Sequence, residues 1–426
     1  MTTATFDSTP AATAHRAVSR PSGRTGAREE RRRRYHARGF WAVALVFATA
    51  MAFAAAPAPL YVLYQQQHGL SSLTITVVFA TYAFGVAASL FTAGHLSDQF
   101  GRRRMIALAV ALNVLAALVF MSWTNLAALL AARLVSGLGI GMLTAAATAY
   151  LTELNAVARP GMGSRRAEVV ATVANIGGLG LGPLMTGLLA EYAPAPLFTA
   201  FMVFAFLLVV GVLLVVVSAE TVTNSDPDWT YRPQRIVVPP AARGRYWAAT
   251  MLVFVGFAMF GLFSSLAPAF LNTQLGNTSH AVAGLVSFVV FAAAAGFQLL
   301  TAHWTTTQQT IVGLSLLGIG LGLVVTAIVV ASLTWLLIGG AVAGAGVGTT
   351  FKAALATVIQ LASPGARSEA IAGLFLMCYI GMAVPVMLLG LALQVVSLVP
   401  AVIGFGVVML ALLATTATLL VRTRRR

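Results

Sequence analysis

Residues 94–104, GHLSDQFGRRR, form a short charged stretch between two long apolar runs. The apolar sequence before it ends at Leu96, then come Asp98 and three consecutive arginines, Arg102 to Arg104, and apolar sequence resumes at Met105. The hydrocarbon core of a bilayer does not tolerate this density of charge. The stretch therefore predicts a turn at a membrane surface, between two membrane-spanning helices.

The composition of the whole chain also indicates a membrane protein. Of its 426 residues, 59% are hydrophobic and only 9% are charged, whereas soluble domains carry about 25% charged residues. Apolar runs of about 20 residues, the length that crosses a bilayer as a helix, recur along nearly the whole chain. We predict twelve spans, at residues 40–64, 73–96, 104–122, 126–150, 168–190, 197–219, 246–270, 281–302, 309–331, 334–358, 369–393 and 398–420.

The placement of the basic residues predicts the orientation of these spans. The net charge is +15, and the arginines cluster before span 1, after most even-numbered spans and after span 12. The alternate loops contain no Lys or Arg. This positive-inside asymmetry predicts a multi-pass protein of the plasma (inner) membrane with both termini in the cytoplasm. Because the basic residues form no single face, no nucleic-acid partner is expected.

The spans divide six and six around a segment rich in proline and charge. We predict five regions: a disordered basic cytoplasmic N-terminus at 1–39, a six-helix bundle at 40–219, a cytoplasmic linker at 220–245, a second six-helix bundle at 246–421 and a basic C-terminal tail at 422–426. The single cysteine, Cys378, excludes an internal disulfide and a cysteine metal cluster. No metal site is predicted.

The two groups of spans share a repeated pattern. Span 4 contains GLGIG and span 10 contains GAGVG, and each is followed by Arg-x-Glu and then by a proline in the next span. The members are Gly137, Gly139, Gly141, Arg166, Glu168 and Pro183 in the first half, and Gly344, Gly346, Gly348, Arg367, Glu369 and Pro385 in the second. Two related groups of six spans are typical of one large class of transporters, although glycines also serve helix packing.

The charged stretch resembles the loop motif G-x-L-x-D-x-x-G-R-[RK] of the major facilitator superfamily. The matching positions are Gly94, Leu96, Asp98, Gly101, Arg102 and Arg103. The resemblance covers residues 40–420. It implies an all-α integral membrane fold, in which twelve transmembrane helices form two pseudo-symmetric six-helix bundles around a central cavity and rock against each other.

In such a fold the charged stretch is expected to act in gating. Gly101 permits a tight turn, and Asp98 can accept hydrogen bonds from Arg102 or from the amides at a helix N-terminus. The alternative is a turn that only fixes topology, with arginines bound to anionic lipid. The corresponding stretch after span 8, residues 303–310, has no Asp or Arg. Asp98 is therefore predicted to carry the gating alone.

Two further motifs are similar to those of the drug:proton antiporters. Span 4 contains ARLVSGLGIG, with Arg133, Gly137 and Gly141, and span 5 contains GGLGLGPLMTG, with Gly178, Gly182, Pro183 and Gly187. In span 5, Thr186 stands where the antiporter signature has Gly or Ala. The resemblance implies export rather than import. The same residues also fit a kinked helix with small residues for packing.

Arg133 lies deep within its span, where a charge usually faces a cavity or a partner. Span 1 contains no acid that could pair with it. Three interpretations stay open. Arg133 binds carbonyls freed by Pro57 and Pro59, or Tyr61 or Gln65; or it receives an anionic substrate; or coupling runs through peripheral groups, namely Asp98, Glu153 or His95.

A second cation, Lys352, is the only lysine of the chain and lies within span 10. A buried lysine can lose its proton near neutral pH, so Lys352 is a candidate for coupling or for binding an anionic substrate, unless it extends to the membrane surface. Asn175 and Tyr379 are further polar candidates. Phe257, Phe260 and Phe263 recur at helical spacing in span 7 and either line an apolar pocket or pack.

We therefore predict a monomeric secondary transporter in the lipid bilayer that exports a small hydrophobic or amphipathic compound in exchange for protons. It needs no cofactor and is not an enzyme; the proton gradient drives it. The alternative is an importer or facilitator of a small anionic metabolite, motivated by Arg133 and Lys352. A transport-inactive receptor or a membrane enzyme is a remote alternative, because no nucleotide-binding, nucleophile or metal motif supports it.

Overall fold

The computed structural model describes residues 23–93, 96–222, 231, 242–363 and 367–424. These residues form helices joined by short turns. The α-helices are α1 (Gly23–Ala55), α2 (Tyr61–His68), α3 (Ser72–Ala93), α4 (Leu96–Phe100), α5 (Arg102–Ser122), α6 (Leu126–Ala158), α7 (Arg165–Thr172), α8 (Gly178–Tyr192), α9 (Pro196–Val216), α10 (Arg243–Ser265), α11 (Ala267–Leu275), α12 (His280–Leu300), α13 (Thr306–Val329), α14 (Leu333–Leu361), α15 (Arg367–Ala392) and α16 (Leu398–Arg424).

Twelve helical segments of the described chain are long and apolar enough to cross a membrane, which confirms the predicted number of spans. Span 1 consists of α1 and α2, and span 5 of α7 and α8 joined by the π-helical turn Val173–Gly177. The remaining spans are α3, α5, α6, α9, α10, α12, α13, α14, α15 and α16. The short helix α4 lies in the charged turn, and α11 extends span 7.

The N-terminus differs from its prediction. Residues 23–39, predicted to be disordered, form the first turns of α1. Glu29 pairs with Arg33 at 3.1 Å and Glu30 pairs with Arg34 at 2.5 Å, each one helical turn apart, and such pairs stabilise a helix. Composition alone does not reveal these local pairs, and the prediction of disorder is wrong for residues 23–39. Residues 1–22 lie outside the described chain.

Span 1 is interrupted because its proline residues cannot donate backbone hydrogen bonds. The α-helix ends at Ala55, Pro57 and Pro59 follow, and a 3₁₀ turn at Ala58–Leu60 leads into α2. The break places Tyr61 at the start of α2, in the interior of the protein. Carbonyl groups at the end of α1 are therefore available for side-chain donors.

The six spans of each half pack mainly on one another, and the repeated glycines occupy equivalent helix crossings. Gly137 and Gly141 of α6 lie against the backbone of α3, and Gly344 and Gly348 of α14 lie against the backbone of α12. These contacts confirm the repeat and the two pseudo-symmetric bundles. Of the predicted linker at 220–245, residues 223–230 and 232–241 lie outside the described chain.

The two faces of the protein are distinguished by their turns. We call the face that carries the arginine-rich turns after α3 and α6 the basic face. The opposite face carries the turns at residues 69–71, 123–125, 193–195, 276–279, 330–332 and 393–397.

The halves meet where α3 packs on α15 and where α8 packs on α12. At the opposite face these crossings are very close: a Cβ atom added to Gly187 would overlap the carbonyl oxygen of His280, and one added to Gly284 would overlap that of Pro183. Glu191 Oε2 also accepts a hydrogen bond from the backbone amide of His280 at 2.8 Å, across the halves. The structure is therefore a state in which the opposite face is closed.

Candidate functional site

A cavity lies between the two halves at mid-span, with about 690 Å³ of empty space among its lining residues when the space open to solvent is included. Eight of its eighteen lining residues are aromatic, and among them Arg133 is the one charged side chain. The lining residues are Ala54, Ala55, Ala58, Phe79, Tyr82, Arg133, Thr144, Asn175, Ile176, Leu179, Phe257, Phe260, Ser264, Phe291, Phe351, Phe375, Tyr379 and Met382.

Arg133 projects from α6 and is only 1% exposed. Its Nη1 donates to the carbonyl oxygen of Ala54 at 2.8 Å, its Nε donates to the hydroxyl of Tyr61 at 3.0 Å, and its Nη2 donates to the same hydroxyl. The guanidinium carbon lies 5.5 Å from the ring centroid of Tyr61 and 5.4 Å from that of Tyr82. Arg133 thus connects α6 to the interrupted span 1.

These contacts support the interpretation in which Arg133 binds a freed carbonyl and Tyr61. Gln65, the other predicted partner, instead has its Nε2 directed at the carbonyl oxygen of Leu70, at 3.4 Å. The helix break that frees the carbonyl was visible in the sequence as two prolines.

The other predicted polar candidates of the spans divide between the cavity and its surroundings. Asn175 lines the cavity from the π-helical turn of span 5, and Tyr379 lines it from α15, with its ring 6.5 Å from that of Tyr82. Lys352 lies outside the lining, and its Nζ donates to the carbonyl oxygen of Gln298 at 3.3 Å. Lys352 is therefore not a wall residue of the described cavity.

The phenylalanines of span 7 separate in the same way. Phe257 and Phe260 line the cavity, with ring centroids 5.3 Å apart, and Phe260 lies 4.4 Å from Phe291 of α12. Phe263 is buried against Gly340. Phe257 and Phe260 thus line an apolar pocket, whereas Phe263 packs between helices.

The charged turn is held by an ion-pair cluster centred on Arg102. The guanidinium pairs with Asp98, as predicted, and also with Glu153 of α6, where Nη2 lies 3.1 Å from Oε1. Its Nη1 donates to Ser97 Oγ at 2.6 Å. Gly94 and His95 lie outside the described residues, so the start of the motif is not placed.

Glu220, which follows α9, caps the N-terminus of α5. Its Oε1 accepts from the backbone amide of Arg102 at 3.0 Å and its Oε2 from that of Arg103 at 3.2 Å. A carboxylate at a helix N-terminus is favoured by the helix dipole. Gly101, with φ of 95°, permits this approach, because a Cβ atom there would lie 2.6 Å from Glu220 Oε2.

Two further carboxylates join Asp98 in this turn. Glu153 pairs with the same guanidinium of Arg102, and Glu220 accepts hydrogen bonds from the amides of Arg102 and Arg103. That Asp98 carries the gating alone stays a prediction. Arg102, Asp98 and Glu153 belong to the N-terminal half, and Glu220 directly follows its last helix, so the contacts described here lie within that half. In the sequence both glutamates are only acids near the ends of spans. Because they lie far from Arg102 along the chain, the sequence does not predict the contact.

The glycines of the antiporter-like motifs lie at helix crossings. A Cβ atom added to Gly178 or Gly182 would meet the backbone carbonyl oxygens of Ala48 or Ala52 in α1, and Gly187 faces α12. Pro183 lies within α8, where its carbonyl group contacts Gly284. These positions support the packing role of the motif; its implication of export stays a prediction.

Comparison with known proteins supports the family resemblance. A sequence model described as Major Facilitator Superfamily matches residues 41–306, more than half of the chain. The chain is 33% identical over 85 residues to the glucose transporter GlcP of Staphylococcus epidermidis, covering 20% of this chain and 19% of that protein. It is 33% identical over 86 residues to the arabinose-proton symporter of Bacillus subtilis, covering 20% and 18%. The matched region thus spans about a fifth of the length of these relatives.

Solved structures share the fold over nearly the whole length. A bacterial homologue of the human lysosomal transporter Spinster, in an inward-facing and unoccupied conformation, superimposes with a TM-score of 0.64 at 16% identity and covers 91% of this chain and 95% of that chain. The nucleoside transporter NupG gives a TM-score of 0.69 at 11% identity, with coverage of 89% and 99%. With its twelve candidate spans and the family match, the chain is a multi-pass membrane protein that belongs to the major facilitator superfamily.

Proposed function

We propose that this transporter moves a small aromatic or amphipathic compound out of the cell by alternating access. The observation that carries the proposal is the wall of the cavity, which includes six phenylalanines and two tyrosines among its eighteen lining residues. Such a wall favours apolar and aromatic ligands through burial of surface and ring contacts. Thr144, Asn175 and Ser264 supply a few polar groups that would orient a ligand.

The direction of transport rests on the orientation of the two faces. The distribution of arginine favours a cytoplasmic basic face, with both termini in the cytoplasm of a cell bounded by a plasma membrane. Since the opposite face is closed in this structure, the cavity in this state would receive its ligand from the cytoplasm. The resemblance of spans 4 and 5 to antiporter motifs supports export.

We propose the proton gradient as the driving force, with no bound cofactor and a monomeric functional unit. The described cavity wall includes no Asp, Glu or His, so a coupled proton would act outside it. Lys352, and the cluster of Asp98 and Glu153, are the candidates for this role. A proton drives the cycle only if it binds the two states with different affinity.

A second candidate is import of a small hydrophilic or anionic metabolite. The names of the curated relatives, which include sugar transporters, favour it. The few polar groups on the cavity wall favour an apolar compound as the ligand instead, because a sugar needs many hydrogen-bonding partners when it is buried.

Transport assays in everted membrane vesicles separate these candidates. We expect vesicles that contain the protein to accumulate fluorescent aromatic compounds, and a protonophore to abolish the accumulation. Lys352→Met is expected to weaken the dependence on the proton gradient. Equilibrative sugar uptake into whole cells that is insensitive to a protonophore, without accumulation of aromatic compounds in vesicles, would contradict the proposal.

A further inference from the structure

We infer that the cavity is selective for aromatic monoanions, with the anionic group of the ligand bound at Arg133. This inference rests on the proposed function, because it names the class of compound within the apolar and amphipathic ligands proposed above. It follows from the charge balance of the cavity and from the way in which charge and aromatic rings are divided between the halves.

The first observation is a buried guanidinium without a counter-charge. The partners of Arg133, Tyr61 and the Ala54 carbonyl group, are neutral. We find no carboxylate within 4.0 Å of the guanidinium among the described residues. Buried charges in proteins are usually paired, because the loss of hydration is costly. The cavity wall therefore carries a positive charge that a bound anion would balance.

The second observation concerns the hydrogen bonds that Arg133 has left to make. A guanidinium has five N–H groups, and the contacts to Tyr61 and Ala54 occupy three of them. The group lies on the cavity wall beside Tyr82. Planar carboxylates are the ligands that a guanidinium binds with the best geometry.

The third observation is the asymmetry of the wall. Arg133, Tyr82 and Asn175 come from the N-terminal half, whereas five of the six phenylalanines come from the C-terminal half. A ligand with an anionic head and an aromatic body would place its head on one half and its rings on the other. Such a ligand would contact both halves at once, which is the arrangement that allows binding to bias the relative position of the two bundles.

Binding of three matched probes to the purified full-length protein tests this inference. The probes are 1-naphthylacetate, its neutral amide 1-naphthylacetamide, and the cation 1-naphthylmethylammonium. We expect the carboxylate to bind about tenfold or more tightly than the amide, as one charge-assisted hydrogen-bonded contact provides. In Arg133→Gln this preference is expected to disappear, while the affinity for the amide changes less than about threefold.

Asn175→Asp tests the role of the Arg133 charge if Arg133→Gln does not fold. It places a carboxylate on the cavity wall that balances this charge and leaves Arg133 in place. It is expected to reduce the affinity for the carboxylate about tenfold and to increase that for the ammonium probe. Lys352→Met is the matched control for this binding measurement: it removes a cation of α14 that lies outside the cavity wall, so the preference for the carboxylate over the amide should remain.

Four results would overturn the inference. If wild type binds the amide as tightly as the carboxylate, the cavity accepts aromatic compounds, so the proposed function stands and the selectivity for anions is wrong. If the preference survives in Arg133→Gln, Arg133 does not bind the anion. If chloride in place of gluconate displaces the carboxylate, an inorganic anion occupies the site. If none of the three probes binds, both the inference and the proposed function fail.

Discussion

The two faces of this protein are held in different ways. On the opposite face the halves contact each other at backbone distance, and Glu191 of one half caps a helix of the other. On the basic face the ion pairs of Arg102 with Asp98 and Glu153, and the cap from Glu220, join helices of the N-terminal half.

In this state the face that is closed is not the face that carries the charged cluster. The face without arginines is the closed one, and its closest contacts come from small residues. The charged cluster is already assembled within one half while that closure exists. We therefore expect Asp98 to act in gating when the basic face closes. The cluster would then contact the other half without having to assemble first.

The largest expected effect comes from blocking the close contact on the opposite face. In Gly187→Ala the new methyl group overlaps the His280 carbonyl oxygen, so closure would cost about 1–3 kcal/mol and transport would decrease by about tenfold. Transport of an aromatic substrate into everted vesicles measures it. Gly296→Ala in α12 is the control, because a Cβ atom there meets nothing within 4 Å. Equal activity of the two variants would show that the crossing is not tight.

The next effect concerns the cap on the basic face. Glu220→Gln removes the negative charge of the group that accepts hydrogen bonds from the amides of Arg102 and Arg103. We expect the free energy of unfolding to decrease by about 1–2 kcal/mol. Thermal unfolding in detergent measures the change. Gln308→Ala removes the neutral side chain that accepts the Thr305 amide in the exposed capping box after span 8 and should cost about 0.5 kcal/mol. A larger loss in Gln308→Ala than in Glu220→Gln would contradict the comparison.

A smaller effect is expected from the contact between halves at Glu191. Glu191→Gln keeps the size of the side chain but weakens its hydrogen bond to the His280 amide, and this should slightly destabilise closure of the opposite face. The readout is the rate at which an impermeant maleimide reaches a cysteine introduced by Ser264→Cys in the cavity. We expect faster labelling from the side of the opposite face; an unchanged rate would show that Glu191 does not hold the closure.

The smallest effect on stability is expected at Asp98. Its side chain is 65% exposed, and exposed ion pairs contribute about 0–1 kcal/mol. Asp98→Asn should therefore unfold within a few degrees of wild type. Its transport rate should nevertheless decrease, because closure of the basic face is expected to use this carboxylate. Wild-type transport in Asp98→Asn would leave the motif a topological turn only.

The sequence was sufficient for features that depend on local pattern. The spans follow from apolar length, and the pair of Asp98 with Arg102 from their closeness in the charged stretch. The contact of Arg133 with span 1 was one of three open interpretations, suggested by two prolines. The repeat could also be predicted from the sequence, because Gly137 and Gly344 lie at equivalent helix crossings in the two halves.

Other features depend on contacts between residues far apart in the chain. Glu220 lies 118 residues from Arg102, and nothing in the intervening sequence indicates the cap. The phenylalanines that line the cavity, such as Phe351, come from five different helices, and no local pattern indicates that they meet. Which face is closed is a property of how the halves pack, and both states of a transporter share one sequence.

Labelling of the cavity from each side of the membrane tests the account most directly. In the Ser264→Cys variant the impermeant maleimide has one described competitor, Cys378, which is fully buried. In the absence of substrate we expect rapid labelling in inside-out vesicles, where the basic face is accessible, and slow labelling in right-side-out vesicles. Rapid labelling in right-side-out vesicles and slow labelling in inside-out vesicles would contradict both the closure of the opposite face and the proposed orientation.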